Sequence, residues 1–452
     1  MQFSRIFRSH GADEGYLRIA MPAALEGGFM IALSAADIIM VGALGVTAIA
    51  AVSIFSQPRL MLLVFARSIA AALTLLVAQC IGAGRAAEAG QFLRQTLFTA
   101  LLLFFVLHVV FFVYLGEILS WMGAAAYLDL ALTYGYAALF GVFLTSVTTV
   151  LQAYLLGQGQ THVVLMTNVW GNVVNVACNA LFIYGLGPFP ALGVLGAGIG
   201  TVIGTAWTLF HTLCALWDKR VLCGRYLPNL VYGRAFFPIV MGVFSEQGFE
   251  RVGMVLYTRM VAEISMGAYA VHAVCMNFCD FYYQFAGGLG KASMVQSGQA
   301  HGAGDPLRWR SQLFEALRWG FFFSCIAFCL TALLREPIFQ IYTADASLLP
   351  MGTVILLFVA VVSFPEAHQL IAAGGHDDTC CCVFLHQHCT PASAPHGVFS
   401  LCARHGACRC MVRPRHRPVS TCGSGECLAL AICEAPAADG RSESVAVNIA
   451  GR

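Results

Sequence analysis

Charged side chains are scarce in this sequence. Asp, Glu, Lys and Arg make up 11% of 452 residues, against roughly 25% in a soluble domain. With 59% hydrophobic residues and a mean hydropathy of +0.75, that scarcity excludes an ordinary soluble domain and points to a polytopic membrane protein. No basic, aromatic-laced stretch is present, so nucleic acid is not an expected partner. The Gly-Ala-Gly turns are not followed by Lys-Ser/Thr, which excludes phosphate loops. No C-x2-C pair occurs, and no nucleophile–base or metal-ligand cluster recurs within the apolar segments. We therefore expect no catalytic residue, no metal site, no cofactor and no enzyme. A cleavable signal peptide is not expected either: the first 16 residues are polar, and the apolar stretch from Leu17 to Val41 is too long for a signal core.

What is there is a series of long apolar runs. Reading those of about 20 residues between polar breaks predicts ten spans, near 17–42, 48–80, 92–115, 130–156, 163–186, 194–217, 235–262, 267–290, 311–334 and 348–373. Numbering the connections alternately puts thirteen Lys and Arg residues, among them Arg18, Lys219, Arg225, Lys291 and Arg308, on one side and only Arg335 on the other. Such a bias predicts a cytoplasmic N-terminus.

The chain also repeats itself. Gln79 precedes Ile81-Gly82-Ala83-Gly84, and Gln299 precedes His301-Gly302-Ala303-Gly304, 220 positions later. Ala48-Ile49-Ala50 matches Ala268-Tyr269-Ala270 at the same offset, Met21-Pro22 matches Phe237-Pro238, and Gln152…Gly157 matches Gln369…Gly374. Short patterns in one order at near-constant spacing indicate duplication, a common plan of secondary transporters. The expected fold is an all-α polytopic membrane protein with two parallel helical repeats. A six-helix lobe over 1–217, a cytoplasmic linker over 218–235, an incomplete lobe of about four helices over 236–375 and a tail over 376–452 make up the predicted organisation. The tail holds 10 of the 18 cysteines and 6 of the 13 histidines. Its spacings fit no common zinc framework, and its composition reads as out of frame or disordered.

At this point the motifs resemble one family. Asp37-Ile38-Ile39-Met40-Val41-Gly42-Ala43-Leu44-Gly45, Ser56-Gln57-Pro58-Arg59, Val77-Ala78-Gln79-Cys80-Ile81-Gly82-Ala83-Gly84 and Ser297-Gly298-Gln299-Ala300-His301-Gly302-Ala303-Gly304 together are similar to the multidrug and toxic compound extrusion (MATE) family over about residues 15–375. The resemblance implies two six-helix lobes around a central cavity, in a multi-pass protein of the bacterial inner membrane. It implies export of cationic or amphipathic compounds against H+ or Na+, by alternating access and as a monomer. The pattern departs where an eleventh and twelfth helix should follow Gly374-Gly375.

Few residues in the apolar spans can carry chemistry. Asp37 lies in the first span, where a carboxylate must be protonated, ion-bound or water-facing; it also matches the family's first-helix acid. Glu246 and Glu250 are four residues apart, hence on one helix face. In low dielectric such a pair cannot both ionise cheaply. Glu246 resembles the family's seventh-helix acid, while Glu250 has Arg251 at hand for neutralisation. Glu366, near His368 and Gln369, is the second-lobe candidate. Asp37, Glu246 and Glu366 are thus the expected cation-coupling groups, with Glu250, Arg251, Arg59 and Arg67 as substrate or charge-network groups. Arg59 and Arg67 are expected to pair with Asp37 or Glu26, since arginines at depth must pair, snorkel or face water. Gly82, Gly84, Gly302 and Gly304 are expected to end helices, and Pro22 and Pro238 to kink them. A flippase for lipid-linked oligosaccharide and a non-transporting remnant of such a transporter are the rival readings.

Overall fold

A computed structural model describes residues 13–122, 127–185, 190–217, 221–264, 266–342 and 349–375; the tail over 376–452 lies outside them. The described residues form eleven helices: α1 (Asp13–Gly42), α2 (Val46–Ile54), α3 (Ser56–Gly82), α4 (Ala86–Trp121), α5 (Leu128–Gly157), α6 (Thr161–Tyr184), α7 (Val194–Trp217), α8 (Leu230–Ile264), α9 (Met266–Gly302), α10 (Pro306–Tyr342) and α11 (Leu349–Gly375). Ten predicted spans become ten long helices plus the short α2. The predicted second span is broken because Pro58 has no N–H to donate to the preceding turn. The helical ladder therefore restarts at Ser56, with Arg59 N–H donating to Phe55 O at 3.2 Å. Pro22 and Pro238 lie inside α1 and α8, both of which run on through them.

Six helical stretches, from Ala51–Gly82 to Leu349–Gly374, are long and apolar enough to cross a bilayer. The amphipathy of α4 is that of a lipid-facing helix. Leu93, Leu97, Ala100, Phe104, Leu115 and Leu119 are buried, while Leu102, Phe105, Val109, Phe112 and Val113 stand exposed on the other side. A water-soluble helix would put polar residues there.

Three helices end in the same turn. After α3, Gly84 N–H donates to Ile81 O and Arg85 N–H to Cys80 O; after α9, Gly304 N–H donates to His301 O and Asp305 N–H to Ala300 O. Each is a Schellman motif closed by a left-handed glycine, with φ 71° at Gly84 and 69° at Gly304. The end of α5 repeats it at Gly159 (φ 78°), where Gly159 N–H donates to Leu156 O and Gln160 N–H to Leu155 O.

The two repeats meet at these ends, and the meeting is reciprocal. A Cβ placed on Gly82 would lie 1.9 Å from Gln299 O, and one on Gly302 would lie 2.0 Å from Gln79 O. Residue pairs offset by 220 thus exchange partners, as a two-fold relation requires. Farther along, a Cβ on Gly27 would lie 2.6 Å from Gln284 O and one on Gly288 would lie 2.5 Å from Ala23 O. A buried cluster of Tyr16, Ala20 and Ala24 with Leu289, Ala292, Ala316 and Ile371 fills the space between the repeats, and Tyr16 Oη donates to Leu289 O at 3.2 Å.

Candidate functional site

Two groups of polar residues, partly buried in the bundle, lie one in each half. The first runs along the contact between α1 and α6. Asn168, Asn172, Asn175 and Asn179 are spaced to line one face of α6. Asn179 Nδ2 donates to Asp37 Oδ1 at 2.9 Å and to Asn175 Oδ1 at 3.4 Å; Asn175 Nδ2 donates to Thr201 Oγ1 at 3.4 Å. Nearer the start of both helices, Asn168 Nδ2 donates to Glu26 Oε1 at 2.5 Å and Gln152 Nε2 to Asn168 Oδ1 at 2.7 Å. The sequence offset is 142 at both acids, so α1 and α6 run parallel and in register.

Glycines on α7 let this face form. Gly196, Gly200 and Gly204 recur every four residues, the small-residue spacing that brings membrane helices into close contact. A Cβ on Gly200 would sit 2.0 Å from Asn179 Oδ1, and one on Gly204 would sit 2.5 Å from Asn175 Cβ. The asparagines thus press against backbone, which holds their amides toward α1. Asn179 Oδ1 is buried without a partner, leaving an acceptor free beside the Asp37 carboxylate.

Arg59 is within electrostatic reach of Asp37, yet among the described residues no ion pair joins them at 4.0 Å. Glu26 is claimed by other partners than the expected arginines: Asn168, and Lys291 of the second repeat, whose Nζ lies 3.8 Å from Glu26 Oε2. Lys291, counted above with a cytoplasmic connection, stands well inside α9. Arg67 instead has Arg251, Tyr283, Arg59 and Glu250 as its electrostatic neighbours, so it is directed toward the second half.

There the acids converge from three helices. Glu246 and Glu250 on α8 act on one another, and Glu366 on α11 feels both Glu250 and Asp280 of α9. Asp280 in turn is opposed by Arg251, and Tyr283 sits among Glu250, Glu246, Arg67 and Glu366. Glu366 also lines a cavity of about 30 Å³ with Tyr282, Ser324 and Ser363, room for a water molecule or an ion of similar size. The structure therefore assembles Glu246, Glu250, Glu366, Arg251 and Arg67 in one region and keeps Asp37 in another, with Arg59 within electrostatic reach of both Asp37 and Arg67. Gly82, Gly84, Gly302 and Gly304 sit at the helix ends.

Sequence reasoning missed Asn168, Asn179 and Asp280. A signal for the asparagines existed: Glu26 and Asp37 are eleven residues apart, as are Asn168 and Asn179, the repeat expected of two helices packed in parallel. Asp280 was hidden in the aromatic stretch that includes Phe278, Phe281, Tyr282 and Tyr283.

Comparison with known proteins agrees with this arrangement. The MatE family model matches twice, over residues 22–181 and 238–377, so each repeat by itself resembles the same unit. Multidrug resistance protein MdtK of Pectobacterium atrosepticum is 26% identical over 373 residues, covering 80% of this chain and 81% of that protein. Multidrug resistance protein NorM of Vibrio cholerae is 26% identical over 370 residues, covering 79% and 80%. A mutant of the Vibrio cholerae MATE transporter VcmN has the same two-lobed helical fold, with a TM-score of 0.76 at 15% identity over 83% of this chain and 86% of that one. Apolar helices and bacterial relatives make this a multi-pass inner-membrane protein and not an enzyme. The duplicated match, the two acid-bearing halves and the shared fold lead to one assignment: the chain belongs to the MATE family of efflux transporters.

Proposed function

We propose that this chain exports cationic or amphipathic drugs by cation-coupled antiport, H+ or Na+ entering as the compound leaves. The observation that carries the reading is the placement of carboxylates where little else is charged. Asp37 is held by an amide ladder in one half, and Glu246, Glu250, Asp280 and Glu366 gather in the other. A carboxylate inside a bilayer-spanning helix is costly unless it binds a proton, an ion or a cationic ligand. When cation and drug compete for the same carboxylates, binding of one lowers affinity for the other. If each also favours a different facing state, the gradient of one drives the other. The names of MdtK and NorM as multidrug resistance proteins support the class of cargo.

The N-terminus and the 218–235 connection are placed in the cytoplasm on the distribution of Lys and Arg. The close contact of the repeats at Gly82 and Gly302 then lies at the cytoplasmic end, as in a state that is shut toward the cytoplasm. Against a flippase for an anionic lipid-linked sugar stands the surplus of acids over Arg251 and Arg67 in the second half.

Ethidium accumulation in efflux-deficient cells tests the proposal. Cells expressing the chain should retain less dye than empty cells. Asp37→Asn keeps a side chain of the same shape beside Asn179 and should restore dye retention while membrane insertion is unchanged. Dye export by the Asn variant at the parent rate refutes the role of Asp37. A chain that exports nothing until the frame after Gly375 is corrected identifies the present polypeptide as the non-transporting remnant.

A further inference from the structure

Lys291 stands eleven residues before Gly302, the end of α9, or about 16 Å along the helix. An ammonium at that depth is costly in lipid, and a long side chain ordinarily relieves the cost by reaching toward the nearer helix end. Lys291 reaches the other way. Its Nζ lies 3.8 Å from Glu26 Oε2, across the seam between the repeats. There α1 and α9 run antiparallel, with Ala23 against Gly288 and Gly27 against Gln284. Glu26 is therefore level with a point nearer the middle of α9 than Lys291 itself. Gln284, Gly288 and Lys291 share one face of α9, the face turned to α1.

The two partners are held very differently. Glu26 is fixed: its Oε1 accepts from Asn168 Nδ2 at 2.5 Å, and Gln152 Nε2 holds Asn168 Oδ1 at 2.7 Å. Its side chain is only 12% exposed. Lys291 is loose: its side chain is 46% exposed and its amine stands beyond hydrogen-bond length from the carboxylate. Among the described residues, Glu26 Oε2 and Lys291 Nζ have no hydrogen-bond partner. One turn on from Glu26, and on the same face, Phe29 and Met30 are exposed. Met30 Sδ accepts from Asn172 Nδ2 at 3.2 Å, which turns it toward the amide face of α6. A positioned carboxylate with a ring and a thioether beside it suits a cation set in an apolar frame.

We propose that Glu26 accepts the cationic group of the cargo, and that Lys291 is a built-in cation that occupies Glu26 while no cargo is bound. This role rests on the drug export proposed above and adds to it a cargo contact on the seam. The exchange leaves no charge bare, because one positive group replaces another at a carboxylate that stays paired. It also makes Lys291 a specificity residue. Each cationic cargo must outcompete an amine already in place, and an uncharged compound has nothing with which to displace it. When Lys291 is displaced, α9 loses its charge contact with α1. The empty chain is thus held with its repeats together, and cargo favours their parting.

Ethidium binding to the purified full chain in nanodiscs, measured by fluorescence anisotropy, tests the competition. Lys291→Gln removes the rival cation and should bind ethidium about threefold to fivefold more tightly, the scale of a half-exposed ion pair. Lys291→Arg keeps the charge and should bind as the parent does. Glu26→Gln keeps the acceptor for Asn168 and should bind about tenfold more weakly. The double variant should bind as weakly as Glu26→Gln alone, since removing the competitor gains nothing once the acceptor has lost its charge. A merely structural pair would weaken binding in Lys291→Gln and could not give this order. Reductive methylation of Lys291, read by mass spectrometry, should quicken several-fold when ethidium saturates the parent, and should be as quick without ethidium in Glu26→Gln. Equal or weaker binding by Lys291→Gln overturns the proposal, as does a double variant tighter than Glu26→Gln or methylation indifferent to ethidium. A parent that binds ethidium but exports none sinks the transport reading and leaves the competition standing. Export by the parent with unchanged binding in Lys291→Gln sinks the competition alone, and a parent that neither binds nor exports ethidium overturns both.

Discussion

The reciprocal contact between the repeats offers the sharpest test of the fold. Gly82→Ala places a methyl group 1.9 Å from Gln299 O, and Gly302→Ala places one 2.0 Å from Gln79 O. Ordinary contact begins at 3.4 Å, so α3 and α9 must part by more than an ångström. The opposing atoms are backbone carbonyls inside helices, which cannot rotate away as a side chain would. Overpacking of this kind costs about 1–3 kcal/mol, and the close approach to backbone places it near about 3. Alanine recovers up to about 1 kcal/mol over glycine in a helix. A net loss of about 2 kcal/mol per substitution is expected in unfolding from mixed micelles. Both clashes are relieved by the same separation while both alanines recover helix propensity, so the double variant should lose only about 1 kcal/mol rather than about 4, a coupling of roughly 3 kcal/mol in a double-mutant cycle. Strict additivity refutes the reciprocal contact. Losses below about 0.5 kcal/mol, the range of surface changes, refute the close approach itself.

The Glu26 network predicts an asymmetry between its two partners. Lys291 is 3.8 Å from the carboxylate with its side chain 46% exposed, so Lys291→Gln should cost less than about 1 kcal/mol. Asn168→Ala strips Glu26 of a 2.5 Å bond and Gln152 of its acceptor, and should cost about 1–3 kcal/mol in the same unfolding measurement. The reverse order would show that the ion pair, not the amide, positions Glu26. Gly200→Ala should displace Asn179 from Asp37 and reduce dye export at unchanged expression; full export by that variant would sink the supporting role given to α7.

Much of the fold is legible in the sequence, because membrane spans are written as runs of about 20 apolar residues and each such run became a helix. The limits differ mostly where helices α8, α9 and α10 extend into polar sequence beyond the lipid, as at Arg234, Gln299 and Arg308. The break at Phe55 escapes hydropathy because the polar stretch after it, Ser56-Gln57-Pro58-Arg59, is only four residues long between apolar runs; Pro58, in the first turn after the break, marks the restart. The acids were visible since charge in an apolar run stands out. Their company was not: Asn168 and Asn179 are uncharged, and Asp280 is diluted by aromatic neighbours. The partner of Glu26 escaped for a different reason. Lys291 was read by alternation of loops, but it lies inside α9, where only the packing of two distant helices can show what it meets.

The matched spacing of acids on α1 and amides on α6 has a mechanical consequence. Two rungs at one common pitch cannot be let go separately by a rigid helix: a slide or turn of α1 that frees Asp37 from Asn179 must also pull Glu26 away from Asn168. Because Glu26 also lies 3.8 Å from Lys291 of the other repeat, such a movement of α1 would alter the contact at the seam between the halves. α1 thus joins the Asp37 rung mechanically to that seam.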